Sequence, residues 1–216
     1  MNTGRYFVYK IMEDSGGATC VERRLLTLSI CKPSIRRSAS KGDWIFAFGS
    51  NSEPPANRLV YVAQITEKLT EGEYYQRAEY TKRGDCIYRR LRDGRYILRT
   101  DARFHNESDL LDYDIGEAPH FRNAITIVST DFRYFGRNSS NHWKHYAPAL
   151  TETVEKMSQG HRVNHSLQVR DELRALQKRL WSQCSSRVMG LPIHTASSCR
   201  GMESEKSVSG RKPETC

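Results

Sequence analysis

Residues 31–69 read CKPSIRRSASKGDWIFAFGSNSEPPANRLVYVAQITEKL and carry the densest β-strand pattern in the chain. A Gly42-Asp43 turn leads into a strand in which Trp44, Phe46 and Phe48 share one face. After a loop rich in Ser, Asn and Pro, residues 58–65 form a second strand that is apolar on both faces. That pattern is typical of a central strand or of a closed barrel. The stretch therefore predicts the β-sheet core to which the rest of the chain adds.

Further elements are predicted on both sides of this stretch. Aromatic and β-branched residues favour strands at 5–11 and 124–128 and an aromatic segment at 131–136, and alternation favours a strand at 25–31. Thr70 can cap a helix over residues 71–80. Residues 101–121 are acidic and irregular, which favours a loop. Helices are also expected at 151–159 and, with an apolar stripe, at 168–181.

The clearest supersecondary prediction is a β-hairpin over residues 87–100. Asp93-Gly94 suits a two-residue type I′ turn, which would place Leu91 opposite Tyr96. In that register one face is apolar and the other carries Tyr88, Arg90, Arg92, Arg95 and Arg99. This basic face is either a solvated edge or a surface that meets phosphate.

The composition limits the possible functions. The 216 residues include 34 Lys and Arg against 25 Asp and Glu, a net charge of +9, which favours an anionic partner and nucleic acid first. The six cysteines form no CxxC pair, which argues against a zinc ribbon or a disulfide scaffold. No P-loop, GxGxxG, HExxH or GxSxG pattern occurs, so the common ATP-, NAD- and serine-dependent enzymes are disfavoured. Because no apolar signal segment or membrane-spanning run is present, we expect a cytoplasmic protein with reduced thiols and no membrane partner.

A set of short motifs occurs in a characteristic order over roughly residues 5–137. The motifs are Leu26-Thr27-Leu28-Ser29-Ile30-Cys31-Lys32-Pro33, Ile35-Arg36, Gly42-Asp43-Trp44-Ile45, Gly49-Ser50, Arg58-Leu59-Val60-Tyr61, Glu67-Lys68-Leu69, Glu73-Tyr74, Ile87-Tyr88, His105 and Asp131-Phe132-Arg133-Tyr134-Phe135-Gly136. Their order resembles the second of the nucleotide-modification-associated domain families. The resemblance implies a role beside systems that make or handle modified nucleotides in DNA. It supplies no catalytic residue, and the helical extension has no counterpart in it.

A looser similarity concerns the fold. A Gly-Asp turn, an apolar strand, a polar Ser-Asn loop and a long strand resemble the barrel of PUA-like domains. We therefore expect an α+β fold: a mixed, mostly antiparallel, PUA-like open barrel with short helices, then a C-terminal helical extension and a disordered tail. The predicted boundaries are 1–138 for the domain, 139–183 for the extension and 184–216 for the tail, in which Ser, Gly and charge dominate.

The residues predicted to bind nucleic acid form four groups. The basic segment with Lys32, Arg36 and Arg37 offers phosphate contacts, or is a solvated turn. Trp44 is the candidate to stack on an extruded base, although aromatic residues with this spacing usually pack in the core. Ser50 and Asn51 follow a strand in a loop that can border a pocket or form an ordinary turn. The hairpin supplies the last group: Tyr88, Arg90, Arg92, Arg95 and Arg99.

Residues that could carry out chemistry are fewer. The Lys32 ammonium beside Cys31 could activate the thiol, but the sequence assigns it no partner histidine, so a buried residue at a strand end is favoured. The pairs His142/His145 and His161/His165 have helical spacing for metal ligands without an obvious third ligand. We therefore expect no metal and no cofactor.

Three functional hypotheses remain open. The first is an accessory module that binds nucleic acid, DNA above all, or a modified nucleotide, and recognises the modified base. The second is a nucleotide- or base-modifying enzyme of unassigned reaction type, with Asp43, Asp85, Asp131 or His105 as acid/base candidates. The third is a scaffold that holds a protein partner through the helix 168–181.

Overall fold

The computed structural model describes residues 4–105 and 110–194, and its elements are short. The strands are β1 (Tyr6–Ile11), β2 (Cys20–Glu22), β3 (Leu25–Leu28), β4 (Trp44–Gly49), β5 (Leu59–Gln64), β6 (Glu67–Leu69), β7 (Tyr88–Arg90), β8 (Tyr96–Leu98), β9 (Thr126–Ser129), β10 (Asp131–Tyr134) and β11 (His161–Arg162). The helices are α1 (Pro33–Ser38), α2 (Leu110–Ile115), α3 (Pro148–Glu155) and α4 (Leu167–Gln183). The α+β class expected from the sequence is confirmed.

The larger sheet has five strands in the order β10-β5-β4-β1-β11. β1 and β4 run parallel, and the other neighbours are antiparallel. All six residues of β1 are buried, as are five of the six in β5. Because β5 is buried on both faces, apolar side chains are needed on both, which explains the pattern of residues 58–65.

A second, antiparallel sheet has the order β2-β3-β9-β6, and β7 and β8 form a separate pair. The described chain passes between the two larger sheets four times, after β1 into β2, after β3 into β4, after β5 into β6 and after β9 into β10. Each sheet nevertheless keeps two edges, and no sheet of the described residues closes into a barrel. The expected barrel is therefore wrong, while the mixed and mostly antiparallel pairing is right.

The C-terminal helix packs against the larger sheet. Val169, Leu173, Leu176 and Leu180 of α4 are buried in one cluster with Phe46 and Phe48 of β4 and with residues of α3. The apolar stripe predicted at 168–181 thus contacts the chain's own core, where burying a leucine contributes about 1.5–3 kcal/mol. No helix in the described part of the chain is both long and apolar enough to cross a membrane. The tail predicted at 184–216 lies outside the described residues from position 195 onward.

The helix expected at 71–80 is replaced by a single 3-10 turn at Glu73–Tyr75. Tyr74 packs its ring against those of Tyr75 and Tyr80, with centroids 5.4 and 4.8 Å apart. Gly72 precedes the turn with φ 74°, and a Cβ there would lie 1.7 Å from the Tyr96 hydroxyl oxygen. Packing of the aromatic side chains therefore overrides the local helix preference.

The hairpin forms, but its predicted register is wrong by one residue. Tyr88 pairs with Leu98 and Arg90 with Tyr96, because the loop contains three residues rather than two. Gly94 takes φ 88° as the last loop residue, as in a type I turn closed by a glycine bulge. The shift places Tyr88 and Tyr96 together in the core, with 1% and 6% of their surfaces exposed.

Candidate active site

A sharp backbone turn connects β3 to α1 and presents Cys31. Cys31 and Lys32 both have left-handed backbone angles, with φ 55° and 45°. Pro33 then begins α1, where its fixed φ suits the first helical turn. Left-handed angles are rare and strained for residues other than glycine and concentrate at functional sites. Two such residues in succession hold the Cys31 side chain in a defined direction.

His105 lies against the Cys31 thiol although 74 residues separate the two in the chain. The distance from Cys31 Sγ to His105 Nε2 is 3.2 Å. His105 also has a left-handed backbone, with φ 49°, and its side chain is 19% exposed. The thiol and the imidazole thus face each other at a site that solvent can reach.

Asp114, near the end of α2, completes the arrangement. Its Oδ2 lies 2.5 Å from His105 Nδ1, and its Oδ1 accepts the backbone N–H of Cys31 at 2.6 Å. The Tyr88 hydroxyl donates to Oδ2 at 2.8 Å. Asp114 is fully buried, and these donors compensate the carboxylate for its loss of water. The same carboxylate therefore fixes both the imidazole ring and the backbone of Cys31.

Arg36 holds together the segments that carry two of these residues. It is fully buried, and it donates to the carbonyl oxygens of Cys31 at 2.7 Å, Asp114 at 2.9 Å and Ile125 at 2.7 Å. It also donates to the carbonyl of Asn123. Burial lowers the pKa of Arg36, and the nearby Tyr75 and Asp114 oppose that effect. A guanidinium stays charged in proteins, so these bonds are charge-assisted and strong.

The electrostatics favour a protonated His105. Burial alone lowers the pKa of its imidazole, but the hydrogen bonds to Asp114 and Cys31 outweigh burial and raise the pKa to about 10. Burial and the carboxylate of Asp114 raise the pKa of Tyr88, which keeps its hydroxyl a donor. A histidinium beside a cysteine is one of the settings in which proteins stabilise a thiolate. The imidazolium of His105 thus directs Nε2 at the sulfur of Cys31.

These three residue types also bind metal ions, and their ligand atoms lie within 4.8 Å of one another. In the observed arrangement the imidazole stands between the other two groups, with Nε2 facing the sulfur and Nδ1 facing the carboxylate. An ion held by Sγ and Nε2 would leave Asp114 across the ring, where it would orient the histidine rather than bind the ion. The geometry suits proton transfer better than a three-ligand metal centre.

Comparison with known families places the chain. The model of the family described as nucleotide modification associated domain 2 matches residues 3–199. The chain belongs to this family. No curated protein and no solved structure matches it. The match to the nucleotide modification associated domain 2 model confirms the resemblance seen in the sequence and extends past residue 137 through α3 and α4.

The three residues of the basic segment, Lys32, Arg36 and Arg37, lie in different environments. Arg36 is internal, as described above. Arg37 is exposed, donates to Asn123 Oδ1 and borders a cavity of about 440 Å³ together with His120, Arg122 and two acidic residues. Lys32 is half-buried beside Cys31, with its ammonium 5.5 Å from the centre of the Tyr9 ring.

The predicted aromatic and polar-loop residues form internal contacts. Trp44 meets Trp181 of α4 edge to face, with ring centroids 5.2 Å apart. Ser50 is buried and accepts the backbone N–H of Glu53 at 3.1 Å. Asn51 accepts a hydrogen bond from the buried Lys10 at 2.9 Å and donates to the carbonyl of Met157. These contacts join the loop to the body of the protein.

On the hairpin, Tyr88 lies inside while the arginines remain outside. Arg90, Arg92 and Arg95 are exposed, and Arg99 is partly exposed. Arg95 pairs with Asp93 at 2.8 Å and Arg99 with Asp101 at 2.9 Å. The basic surface of the hairpin is therefore present without Tyr88, and its contact with nucleic acid stays a prediction.

The acid/base candidates named from the sequence have unequal surroundings. Asp43 accepts hydrogen bonds from Arg5 and Ser40. Asp85 is fully buried among the hydroxyls of Thr27, Ser29 and Tyr74. Asp131 accepts the indole N–H of Trp181 at 2.9 Å. Only His105 of the four contacts the cysteine thiol.

Sequence reasoning missed Asp114 and its connection to Cys31. Asp114 falls in the acidic stretch that was assigned to a loop, and nothing local distinguishes it from Asp109 or Asp112. The sequence did contain the three residue types of such a site: Cys31 and His105 within the family motifs, and an aspartate in the acidic stretch. The lysine beside Cys31 was a further sign of a reactive thiol. The meeting of Cys31, His105 and Asp114 depends on packing between β3, α2 and the segment before residue 105.

Proposed function

We propose that this chain is an enzyme of nucleotide modification in which Cys31 acts as a covalent nucleophile. The observation that carries the proposal is the continuous chain from Cys31 Sγ through His105 to Asp114, with contacts of 3.2 and 2.5 Å. A cysteine nucleophile, a histidine within hydrogen-bond reach and a third group that orients the histidine form the usual arrangement for nucleophilic catalysis.

Each residue has a defined role in such a reaction. The sulfur of Cys31 forms a bond to an electrophilic carbon of the nucleotide, or of the group to be attached to it, and the displaced electron pair moves to the neighbouring atom. His105 gives that atom a proton and takes one back when the carbon–sulfur bond breaks. Asp114 accepts from His105 Nδ1 and so keeps Nε2 directed at the sulfur.

Backbone strain supports this assignment. Cys31, Lys32 and His105 all have positive φ, and each such residue costs on the order of 1–3 kcal/mol. Strain of this kind persists where the surroundings fix a functional geometry. The hydrogen bonds of Asp114 and Arg36 to this region supply that fixation.

The test is site-resolved alkylation by iodoacetamide at pH 7, read by peptide mass spectrometry. Cys31 should react faster than Cys20 and Cys86, because burial raises the pKa of both thiols, to about 11 for Cys86. An ordinary cysteine is only a few per cent thiolate at pH 7. His105→Gln should therefore slow alkylation of Cys31 by about tenfold, after allowing for the lower nucleophilicity of a stabilised thiolate. Equal rates in the wild type and His105→Gln would contradict the proposal.

A second candidate function is supported by the exposed arginines of the hairpin. An accessory module that recognises a modified base would use this surface to contact phosphates, as backbone contacts position most DNA-binding proteins. Binding to duplex and single-stranded DNA, with and without hydroxymethylated bases, should be measured and the DNA then weighed by mass spectrometry. A mass change that is lost in Cys31→Ser supports the enzyme, and binding without any mass change supports the module.

A further inference from the structure

Lys32 stands next to the proposed nucleophile, and the part of the chain that the structure describes offers it no anionic partner. Its ammonium lies over the ring of Tyr9, 5.5 Å from the centroid, and no carboxylate of residues 4–105 or 110–194 forms an ion pair with it. The side chain is half-buried. An ammonium has three N–H donors. The ring face of Tyr9 attracts the positive charge but offers no acceptor oxygen for these donors.

The backbone places this charge beside the thiol. In a strand, consecutive side chains point to opposite faces. Cys31 and Lys32 instead both have positive φ, so the chain at these two residues is not an extended strand, and their side chains lie close enough to interact electrostatically. The ammonium and the sulfur can therefore both face one bound molecule.

The energetics of Lys32 point the same way. Burial lowers the pKa of Lys32, and the nearby Cys31 thiol is the group that opposes this effect. A partly desolvated cation without a carboxylate is costly, and an anionic ligand would compensate it. The neighbouring arginine differs, because the donors of Arg36 are bonded to carbonyl oxygens of the protein.

We propose that Lys32 binds an anionic group of the substrate, a phosphate oxygen of a nucleotide, while Cys31 attacks a carbon nearby. The substrate would then be a phosphate-bearing nucleotide rather than a free base or nucleoside. This inference rests on the proposed function of Cys31, and its test must separate the two.

The test compares the rates at which iodoacetate and iodoacetamide alkylate Cys31. Both reagents attack the same sulfur, but only iodoacetate is anionic, so their rate ratio reports positive charge beside the thiol. The charge of His105 contributes to the ratio in every variant, so the change between variants is what matters. Lys32→Gln should lower the iodoacetate-to-iodoacetamide ratio about fourfold or more, the effect of a unit charge about 5 Å away in water.

Matched variants sharpen the result. Lys41→Gln removes an exposed positive charge that lies shortly after the basic segment in the chain, and it should leave the ratio unchanged. Lys32→Arg should retain the ratio as well. Lys32→Asn provides a second neutral variant that tolerates the left-handed backbone. Inorganic phosphate should slow alkylation of Cys31 in the wild type but not in Lys32→Gln, with chloride at equal ionic strength as the reference.

Three outcomes would overturn the inference: an unchanged ratio in the neutral Lys32 variants, an equal fall in Lys41→Gln, or phosphate protection that does not depend on Lys32. None of these bears on the iodoacetamide rate or its dependence on His105. The proposed role of Cys31 can therefore stand when that of Lys32 fails.

Discussion

Tyr88→Phe removes one oxygen atom from the base of the candidate site. The Tyr88 hydroxyl donates to the buried carboxylate of Asp114 at 2.8 Å, and only 1% of the Tyr88 surface is exposed. A hydrogen bond to a charged group contributes about 1.5–3 kcal/mol. A chain of this size loses about 2–4 °C in Tm per kcal/mol. Tyr88→Phe should therefore lower the Tm by about 3–12 °C.

Tyr96→Phe is the matched control for this change. Tyr96 pairs with Arg90 in the same hairpin and is buried in the same cluster, but its hydroxyl forms no hydrogen bond with the described residues. Thermal denaturation followed by circular dichroism should show a much smaller loss for Tyr96→Phe. DNA binding should be unaffected by Tyr88→Phe, since the hydroxyl lies inside. Equal stability of the two variants, or weaker DNA binding with unchanged stability, would refute the internal position of Tyr88.

Two further predictions concern charge. The pKa of His105 is raised to about 10 in the folded protein, whereas a histidine in an unfolded chain has a pKa of about 6.5. The protonated His105 therefore stabilises the folded state fully below about pH 6.5, and this contribution is lost as the pH rises through about 10. The difference in free energy of unfolding between the wild type and His105→Gln, measured in urea, should shrink between pH 7 and 10; a constant difference would contradict the raised pKa. The difference is needed because burial lowers the pKa of Lys10 to about 8, which acts in the opposite direction. The second prediction concerns the hairpin. The double variant Arg92→Glu and Arg95→Glu should weaken DNA binding and reduce the slope of the logarithm of the binding constant against the logarithm of the salt concentration by about two. Arg174→Glu, at an exposed position on α4, should change neither, and an unchanged affinity of the double variant would show that the hairpin does not bind DNA.

The predictable part of the fold was the part dictated by local pattern. Alternation and double-sided apolarity placed β4 and β5 within about one residue of their observed bounds, whereas the strand predicted at 25–31 already ends at Leu28. The dipeptide Asp93-Gly94 does not determine the length of the hairpin loop, because Asp-Gly suits both a two-residue turn and a three-residue loop closed by glycine. Packing decided between them, since the observed register buries Tyr88 and Tyr96 together. Closure of a barrel is a property of the whole sheet that no single strand pattern specifies.

The candidate site was predictable only in pieces. His105 was named as an acid/base candidate, and Cys31 was considered as an activated thiol beside Lys32. The missing step was their meeting, because His105 and Asp114 lie 74 and 83 residues from Cys31. Contacts at such separations depend on tertiary packing rather than on spacing within one element. The positive φ values of Cys31 and Lys32 could not be read from the sequence either, because neither residue type marks a left-handed turn, and one histidine is too weak a signal for that of His105.

Burial changes what the basic composition says about a partner. Among the described residues, five cationic side chains and four carboxylates are buried. The cations are Lys10, Arg36, Arg58, Arg83 and Arg133, and the carboxylates are Asp14, Asp43, Asp85 and Asp114. Because these nearly cancel, burial among the described residues removes a net charge of only one, which is small beside the formal +9 of the full sequence, and the preference for anionic partners stands. The assignment of that preference to particular residues changes, because Arg36 donates to the protein's own carbonyl oxygens. Lys32, four positions earlier, has no such partner within residues 4–105 and 110–194. In this chain the cation that organises the candidate site, Arg36, and the cation proposed to bind a substrate, Lys32, belong to the same short segment, and only the contacts of each one distinguish them.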